Sequence, residues 1–269
     1  MIYGLYLSAS GIISSSHKQD VISNNLANSE TVGFKRDLPI FQQRLTELEE
    51  RRRVGNAQGW SDSVEEGQGG GLFVSPSQAD MQQGDLEHTG APLDTAIEGK
   101  GFFAVRDSVD AGPGAAAQSS PISLTRNGQF MVDRKGYLVL GSQAGQKVLD
   151  VNKQPIKLDP TASGTLSVSR DGTVAQGRKA VGQIGVFNVA DTSKLTKQGG
   201  TLLGYGDAGN LQRVESPLRG EFLERSNVDP TNELSELMKA QRLLEANANM
   251  IRYQDQMLAK LVNEVGKIS

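Results

Sequence analysis

Apolar positions repeat with helical spacing at both ends of the chain and alternate over short runs in between. In residues 1–28, which hold no proline, Leu5, Ile12 and Leu26 stand seven or fourteen apart, with Ile2, Ala9 and Ile22 on flanking positions. Residues seven apart share a helix face, so this stretch predicts a helix. It is also rich in serine (Ser8, Ser10, Ser14, Ser15, Ser16) and contains Gly11. These are mediocre helix formers, but their small side chains let another helix come close. The helix needs a partner.

The other end is more regular. Asp229 can cap a helix, Pro230 suits its first turn, and Glu233 favours the positive end of the dipole. Leu237, Leu244, Ile251, Leu258 and Val265 follow at intervals of seven, with Leu243, Met250 and Met257 beside them. Ala240, Ala246 and Ala248 keep the stripe compact, and neither Gly nor Pro occurs from 231 to 265. The pattern predicts a helix of roughly 50 Å, longer than a small β domain covers. A sustained heptad stripe predicts a coiled coil, with Gln241 and Asp255 interrupting the neighbouring seam and fixing its register. The economical packing pairs the two terminal helices; the alternative folds each back on the middle of the chain.

That middle reads as β structure from about 72 to 223. Residues 96–98 and 102–105 flank Gly99-Lys100-Gly101 as strand, turn, strand. Residues 122–126 and 129–132 flank Asn127-Gly128, a strong hairpin signal. Asp133 to Gly136 turns the chain into Tyr137-Leu138-Val139-Leu140, and Arg170-Asp171-Gly172 separates 165–169 from Thr173-Val174. Residues 181–190 add another run. Before this zone, 41–54 predicts a short helix ending in a charged run, and 55–71, with six glycines, predicts an extended arm or loop. The fold class expected is therefore α+β, with long N- and C-terminal helices paired as a coiled coil, a central mainly β domain and a Gly-rich arm. Its parts are an N-terminal helix and exit motif at 1–35, the arm at 36–75, the β domain at 76–223 and the C-terminal coiled-coil helix at 224–269.

Composition removes most chemistry. The chain has 269 residues, no cysteine, two histidines, and 28 basic against 31 acidic side chains. Without cysteine there are no disulfides, thiolate metal sites or thiol nucleophiles. With only His17 and His88, histidine metal clusters and relays have little to work with, so no metal and no cofactor are expected. A net charge of −3 gives no reason to expect nucleic acid. Arg51-Arg52-Arg53 is neutralised by Glu47, Glu49 and Glu50 and reads as a solvated helix face. The glycine run at 67–71 lacks the Lys-Ser/Thr ending of a phosphate loop, and no Gly-x-Ser-x-Gly elbow occurs. No catalytic residue is predicted. No stretch reaches the roughly 20 apolar residues that span a bilayer, so no direct membrane insertion is expected. Met1-Ile2-Tyr3-Gly4-Leu5-Tyr6-Leu7 carries no preceding Lys or Arg and is a poor secretory signal.

Asn24-Asn25-Leu26-Ala27-Asn28-Ser29-Glu30-Thr31-Val32-Gly33-Phe34-Lys35-Arg36 closely resembles the signature of bacterial flagellar rod and hook proteins. Its physics is plain: Asn28 can end the helix, Gly33 permits a sharp exit, and Phe34 can pin the departing chain. Gly84-Asp85-Leu86 with the run from Thr89 through Phe103 is similar to that family's central motif. Leu124 to Phe130 resembles its next hairpin. Leu223-Glu224-Arg225-Ser226-Asn227-Val228-Asp229, with Glu233-Leu234 and Ala240-Gln241-Arg242, resembles its C-terminal lead-in and helix. Four blocks in order are specific, although 45–72, 106–121 and 191–215 match weakly.

The resemblance implies a structural subunit of the flagellar basal-body rod, polymerised into the axial drive shaft that transmits torque. It implies as partners copies of the same chain, other rod and hook axial proteins, and the flagellar type III export apparatus. It places the protein in the periplasmic rod, exported without a cleaved signal peptide. The expected assembly interface is Leu5, Ile12, Ile22, Leu26, Leu237, Leu244, Ile251, Leu258 and Val265; the expected helix-exit motif is Asn28, Thr31, Gly33 and Phe34. Length is similar to proximal and distal rod subunits, and the short stretch between Val189 and Pro217 favours the proximal type. The alternatives are a hook-type subunit, a coiled-coil adaptor that does not polymerise, and an enzyme using two carboxylates.

Overall fold

The computed structural model describes residues 2–45, 71–107, 121–141, 145–159, 164–206 and 211–265. Among the described residues the protein is α+β, with two long helices and many antiparallel strands. The chain divides into two units that interleave in sequence: residues 1–27, 37–80 and 229–269 form one, and 28–36 with 81–228 form the other.

In the first unit, helix α1 (Ile2–Ala27) packs against helix α2 (Pro230–Val265). Asp229 caps α2 as expected, its Oδ1 accepting from the Thr231 and Asn232 amides at 2.9 and 3.4 Å. Strand β1 (Asp37–Gln43) pairs antiparallel with β2 (Leu72–Ala79), and the register slips between Leu38 and Ile40. Pro39 and Pro76 both fall at that slip, and proline, lacking an amide hydrogen, is tolerated at bulges. The helix predicted over 41–54 is not formed at its start: residues 41–43 belong to β1. Residues 46–54 and the arm predicted at 55–70 lie outside the described residues. Ser10 Oγ accepts from the Leu72 amide and donates to the Leu72 carbonyl, both at 2.9 Å, so one helix serine anchors the start of β2.

The second unit is built around β5 (Phe102–Arg106). It pairs with β6 (Ile122–Thr125), β9 (Lys147–Val148) and β13 (Val186–Asn188). Neighbouring strands extend the sheet through β8 (Leu138–Leu140) to β7 (Phe130–Val132) on one side. On the other side it runs through β15 (Leu202–Tyr205) to β14 (Leu195–Gly199). Successive strand residues point to opposite faces. Phe103 and Val105 therefore enter a core with Phe130, Leu138, Leu140 and Val148, while Phe102 and Ala104 enter another with Leu124, Leu149, Phe187 and Leu203. Burial on both faces explains why β5 reads as an unbroken apolar run.

The hairpin signals divide. Asp133 to Gly136 joins β7 to β8 as expected, with the Asp133 amide donating to the Tyr137 carbonyl. β10 (Leu166–Val168) and β11 (Thr173–Gln176) pair across Arg170-Asp171-Gly172, also as expected. β12 (Lys179–Gln183) completes that small sheet. Asn127-Gly128 forms no hairpin: β6 pairs with β5 and β15, β7 with β8. Gly128 instead accepts from the Thr95 amide, and Asp94 bridges Gln129. Gly99-Lys100-Gly101 joins no hairpin either. β4 (Thr95–Ile97) pairs with β17 (Leu218–Gly220), and the two glycines redirect the chain at φ +112° and +128°.

Candidate assembly surface and chain-crossing motif

The two helices run antiparallel, as three side-chain relationships place Gly4 at Gln254, Gly11 at Asn247 and Lys18 at Glu236. Ile22 is buried, and Leu5, Ile12 and Leu26 are half-buried. Leu237, Leu244, Ile251 and Leu258 are half-buried along one line of α2, while the side chain of Val265 lies outside the described residues. On the line three positions on, Asn247 and Gln254 lie against Gly11 and Gly4 of α1, and Ala240 is fully buried. Gln241 and Asp255, expected in the seam, are exposed. The polar seam residues are Asn247 and Gln254, whose amides fit over glycines that spacing alone did not pair with them.

Lys18 Nζ donates to Glu236 Oε2 and Lys239 Nζ to Oε1, both at 2.7 Å. The Lys18 hydrogen bond, then that of Lys239, lowers the Glu236 carboxyl to about 2. Beside the packed lines a second apolar stripe stays in solvent: Leu243, Met250 and Met257 are each more than half exposed. Tyr6 and Ile13, also seven apart, form a matching exposed pair on α1. Apolar residues at heptad spacing are thus left uncovered by their own helix pair.

The exit motif has its own geometry. Asn25 grips the first residue of β1 both ways, its Nδ2 donating to the Asp37 carbonyl at 2.9 Å and its Oδ1 accepting the Asp37 amide at 2.8 Å. After α1, the Thr31 amide donates to the Asn28 carbonyl at 3.1 Å and the Phe34 amide to the Thr31 carbonyl at 3.2 Å, two turns in succession. Gly33 has φ +70°, and a Cβ there would collide with the Arg126–Asn127 backbone. Its amide donates to the Glu224 carbonyl at 2.8 Å. Phe34 is buried, with Lys197 Nζ 3.9 Å from its ring centroid.

Three buried charges adjoin this turn. Glu224, fully buried, accepts from Lys35 Nζ at 2.6 Å through Oε1 and from Arg126 Nη1 at 3.0 Å through Oε2. Lys35 and Arg126 are themselves buried. Lys35 also donates to the Gln82 carbonyl, and Arg126 Nη2 to the Gly99 carbonyl at 2.8 Å. All three residues lie inside the motif blocks, where local spacing assigns them no role. Partners 98 and 189 positions apart leave no periodic signal. A charged residue inside an otherwise apolar strand end, as in Phe222-Leu223-Glu224, was the available clue.

Among the described residues, no group of three or more His, Cys, Asp or Glu side chains could hold a metal ion, and no helix is long and apolar enough to cross a membrane. Three family models match the chain in order: Flagella basal body rod protein over residues 5–35, Flagellar hook protein FlgE/F/G D1 domain over 96–176, and Flagellar basal body rod FlgEFG protein C-terminal over 219–264. The flagellar basal-body rod protein FlgG of Bacillus subtilis is 34% identical, the alignment covering 98% of this chain and 99% of that one. The rod protein FlgF of Caulobacter vibrioides is 31% identical over 98% of each chain. FlgG of Buchnera aphidicola (Schizaphis graminum) is also 31% identical, over 97% of this chain and 99% of its own. These likenesses define a structural protein of the flagellum, not an enzyme. The chain belongs to the flagellar basal-body rod protein family, of the FlgF/FlgG type. It is a structural rod subunit of the basal body.

Proposed function

We propose that the subunit polymerises through its terminal helices, paired as a coiled coil, into the shaft that carries torque. The supporting observation is the double character of α2: one side is packed on α1, while Leu243, Met250 and Met257 repeat the heptad on an open side. A heterologous contact that repeats without closing gives a helical filament, and such a contact needs a patch beyond those used within the subunit. In this reading Leu5, Ile12, Ile22, Leu26, Leu237, Leu244, Ile251, Leu258 and Val265 belong to the assembly interface. Asn28, Thr31, Gly33 and Phe34 carry the chain from the helical layer at 1–35 and 224–269 to the β domain at 76–223, with 36–75 as the arm.

The partners in this reading are further copies of the chain and other rod and hook axial proteins. The subunit reaches them through the flagellar type III apparatus, without a cleaved signal peptide, and lodges in the periplasmic rod.

The test is Leu244→Asp with Ile251→Asp. Two carboxylates in a half-buried apolar line are costly without partners, so the double variant is expected to be absent from purified basal bodies while its β domain stays folded. Normal incorporation would overturn the helix-interface reading, and a folded variant that binds partners only as a monomer would identify an adaptor.

A further inference from the structure

Asn227 ties distant stretches of the second unit together. Its Oδ1 accepts from the Arg36 amide at 2.8 Å, and its Nδ2 donates to the Gln82 carbonyl at 3.2 Å. The same Gln82 carbonyl receives the Lys35 ammonium, which is bonded to Glu224 Oε1. That oxygen also accepts the Gly84 amide at 3.1 Å. The Glu224 carbonyl takes the Gly33 amide, and the Arg225 amide donates to the Asp85 carbonyl, both at 2.8 Å. A Cβ on Gly84 would overlap the Arg225 carbonyl, so those two backbones touch. Residues 33–36, 82–85 and 224–227 thus form one knot of hydrogen bonds around a buried carboxylate.

Each of those stretches adjoins a place where the chain leaves or re-enters the unit, after 36, before 81 and after 228. We infer that they open and close as a single cooperative element, latched by the Glu224 side chain. No one stretch can peel away alone. Releasing 33–36 takes Lys35 from Glu224, releasing 82–85 takes the Gly84 amide and the Gln82 carbonyl, and releasing 224–227 removes the carboxylate and Asn227 together. Proteins open locally in such cooperative units, and a buried charge that loses its partner destabilises strongly. The latch holds whether or not the chain polymerises, so its failure and failure of the polymerisation reading are separable.

The experiment is amide hydrogen exchange on the full chain at micromolar concentration. Gly33, Gly84, Arg36 and Arg225 are expected to exchange with protection factors equal within a few-fold. Asn227→Ala should speed all four together by about tenfold. Glu224→Gln should speed them about a hundredfold or more. Leu138 and Leu140, whose amides donate to Ile156 and Gln146, should keep their rates. If Asn227→Ala accelerates Arg36 alone, or Glu224→Gln accelerates Gly84 alone, the stretches open independently and the inference is overturned. Should Glu224→Gln fail to accumulate, Asn227→Ala decides by itself.

Discussion

The side-chain amide of Asn247 occupies the space that a side chain on Gly11 would need, its Nδ2 lying 2.7 Å from the ideal Cβ position. Seven residues away on each helix, Gln254 Nε2 does the same at Gly4, again at 2.7 Å. The helices are keyed by amides over glycines. A one-residue slide would remove both fits at once.

Gly11→Leu is therefore expected to destabilise the helix pair by about 1–3 kcal/mol, the usual cost of overpacking. Urea unfolding followed by far-UV circular dichroism measures it. Combining Gly11→Leu with Asn247→Ala should recover at least half of the loss. No recovery would mean that the leucine acts elsewhere.

At Gly33 the expected loss is larger for Gly33→Val, roughly 3 kcal/mol, because a left-handed backbone and a backbone collision coincide. Gly206→Ala is the control: nothing lies within 4 Å of its would-be Cβ, and its stability should shift by no more than about 0.5 kcal/mol. Equal melting temperatures for the two variants would contradict the exit-turn geometry.

These two glycines show what the sequence could and could not convey. Gly33 was legible because a helix stop, a turn residue and an aromatic pin follow one another within seven positions. The long helices were legible for the same reason, heptad spacing being local. Gly11 read only as a weak helix former, since its partner Asn247 is set by how two distant helices meet. Asn127-Gly128 misled in the opposite sense. Its turn propensity is real, but Asn127 Oδ1 accepts from the Gln129 amide and Thr125 Oγ1 from the Asn127 amide, so the pair makes a local cap. The segment then pairs with Asp94 and Thr95 instead of folding on itself. Long-range strand pairing overrode a local preference.

Met250→Asp with Met257→Asp addresses the open side of α2. Both residues are more than half exposed, so the unfolding midpoint of the isolated protein should move little. Incorporation into basal bodies should nevertheless fall sharply, measured by quantitative mass spectrometry of purified complexes. Wild-type levels would show that the stripe faces no neighbour.

Glu236 supplies an acid-sensitive term. Its carboxyl is lowered from 4.5 to about 2 in the folded chain, chiefly by the Lys18 hydrogen bond. A depressed value means that the stabilisation is present above about pH 4.5 and is lost as the pH falls toward 2. The stability gap between wild type and Glu236→Gln should therefore be constant from pH 7 to 5 and shrink below that. A gap independent of pH down to 2 would rule the ion pair out as its source.

Lys18 and Glu236 are separated by 218 positions. A ribosome adding roughly 5–20 residues per second takes about 10–45 s to cover that distance. Throughout that interval the first helix to emerge has glycines and serines along its contact face and nothing to set against them. The β1–β2 pair can assemble earlier, since its strands stand about thirty positions apart, but it cannot substitute for α2. The face of α1 that meets α2 is thus the last part of that helix to be covered. A stop codon that removes only the final helix leaves α1 without the surface it was shaped to meet.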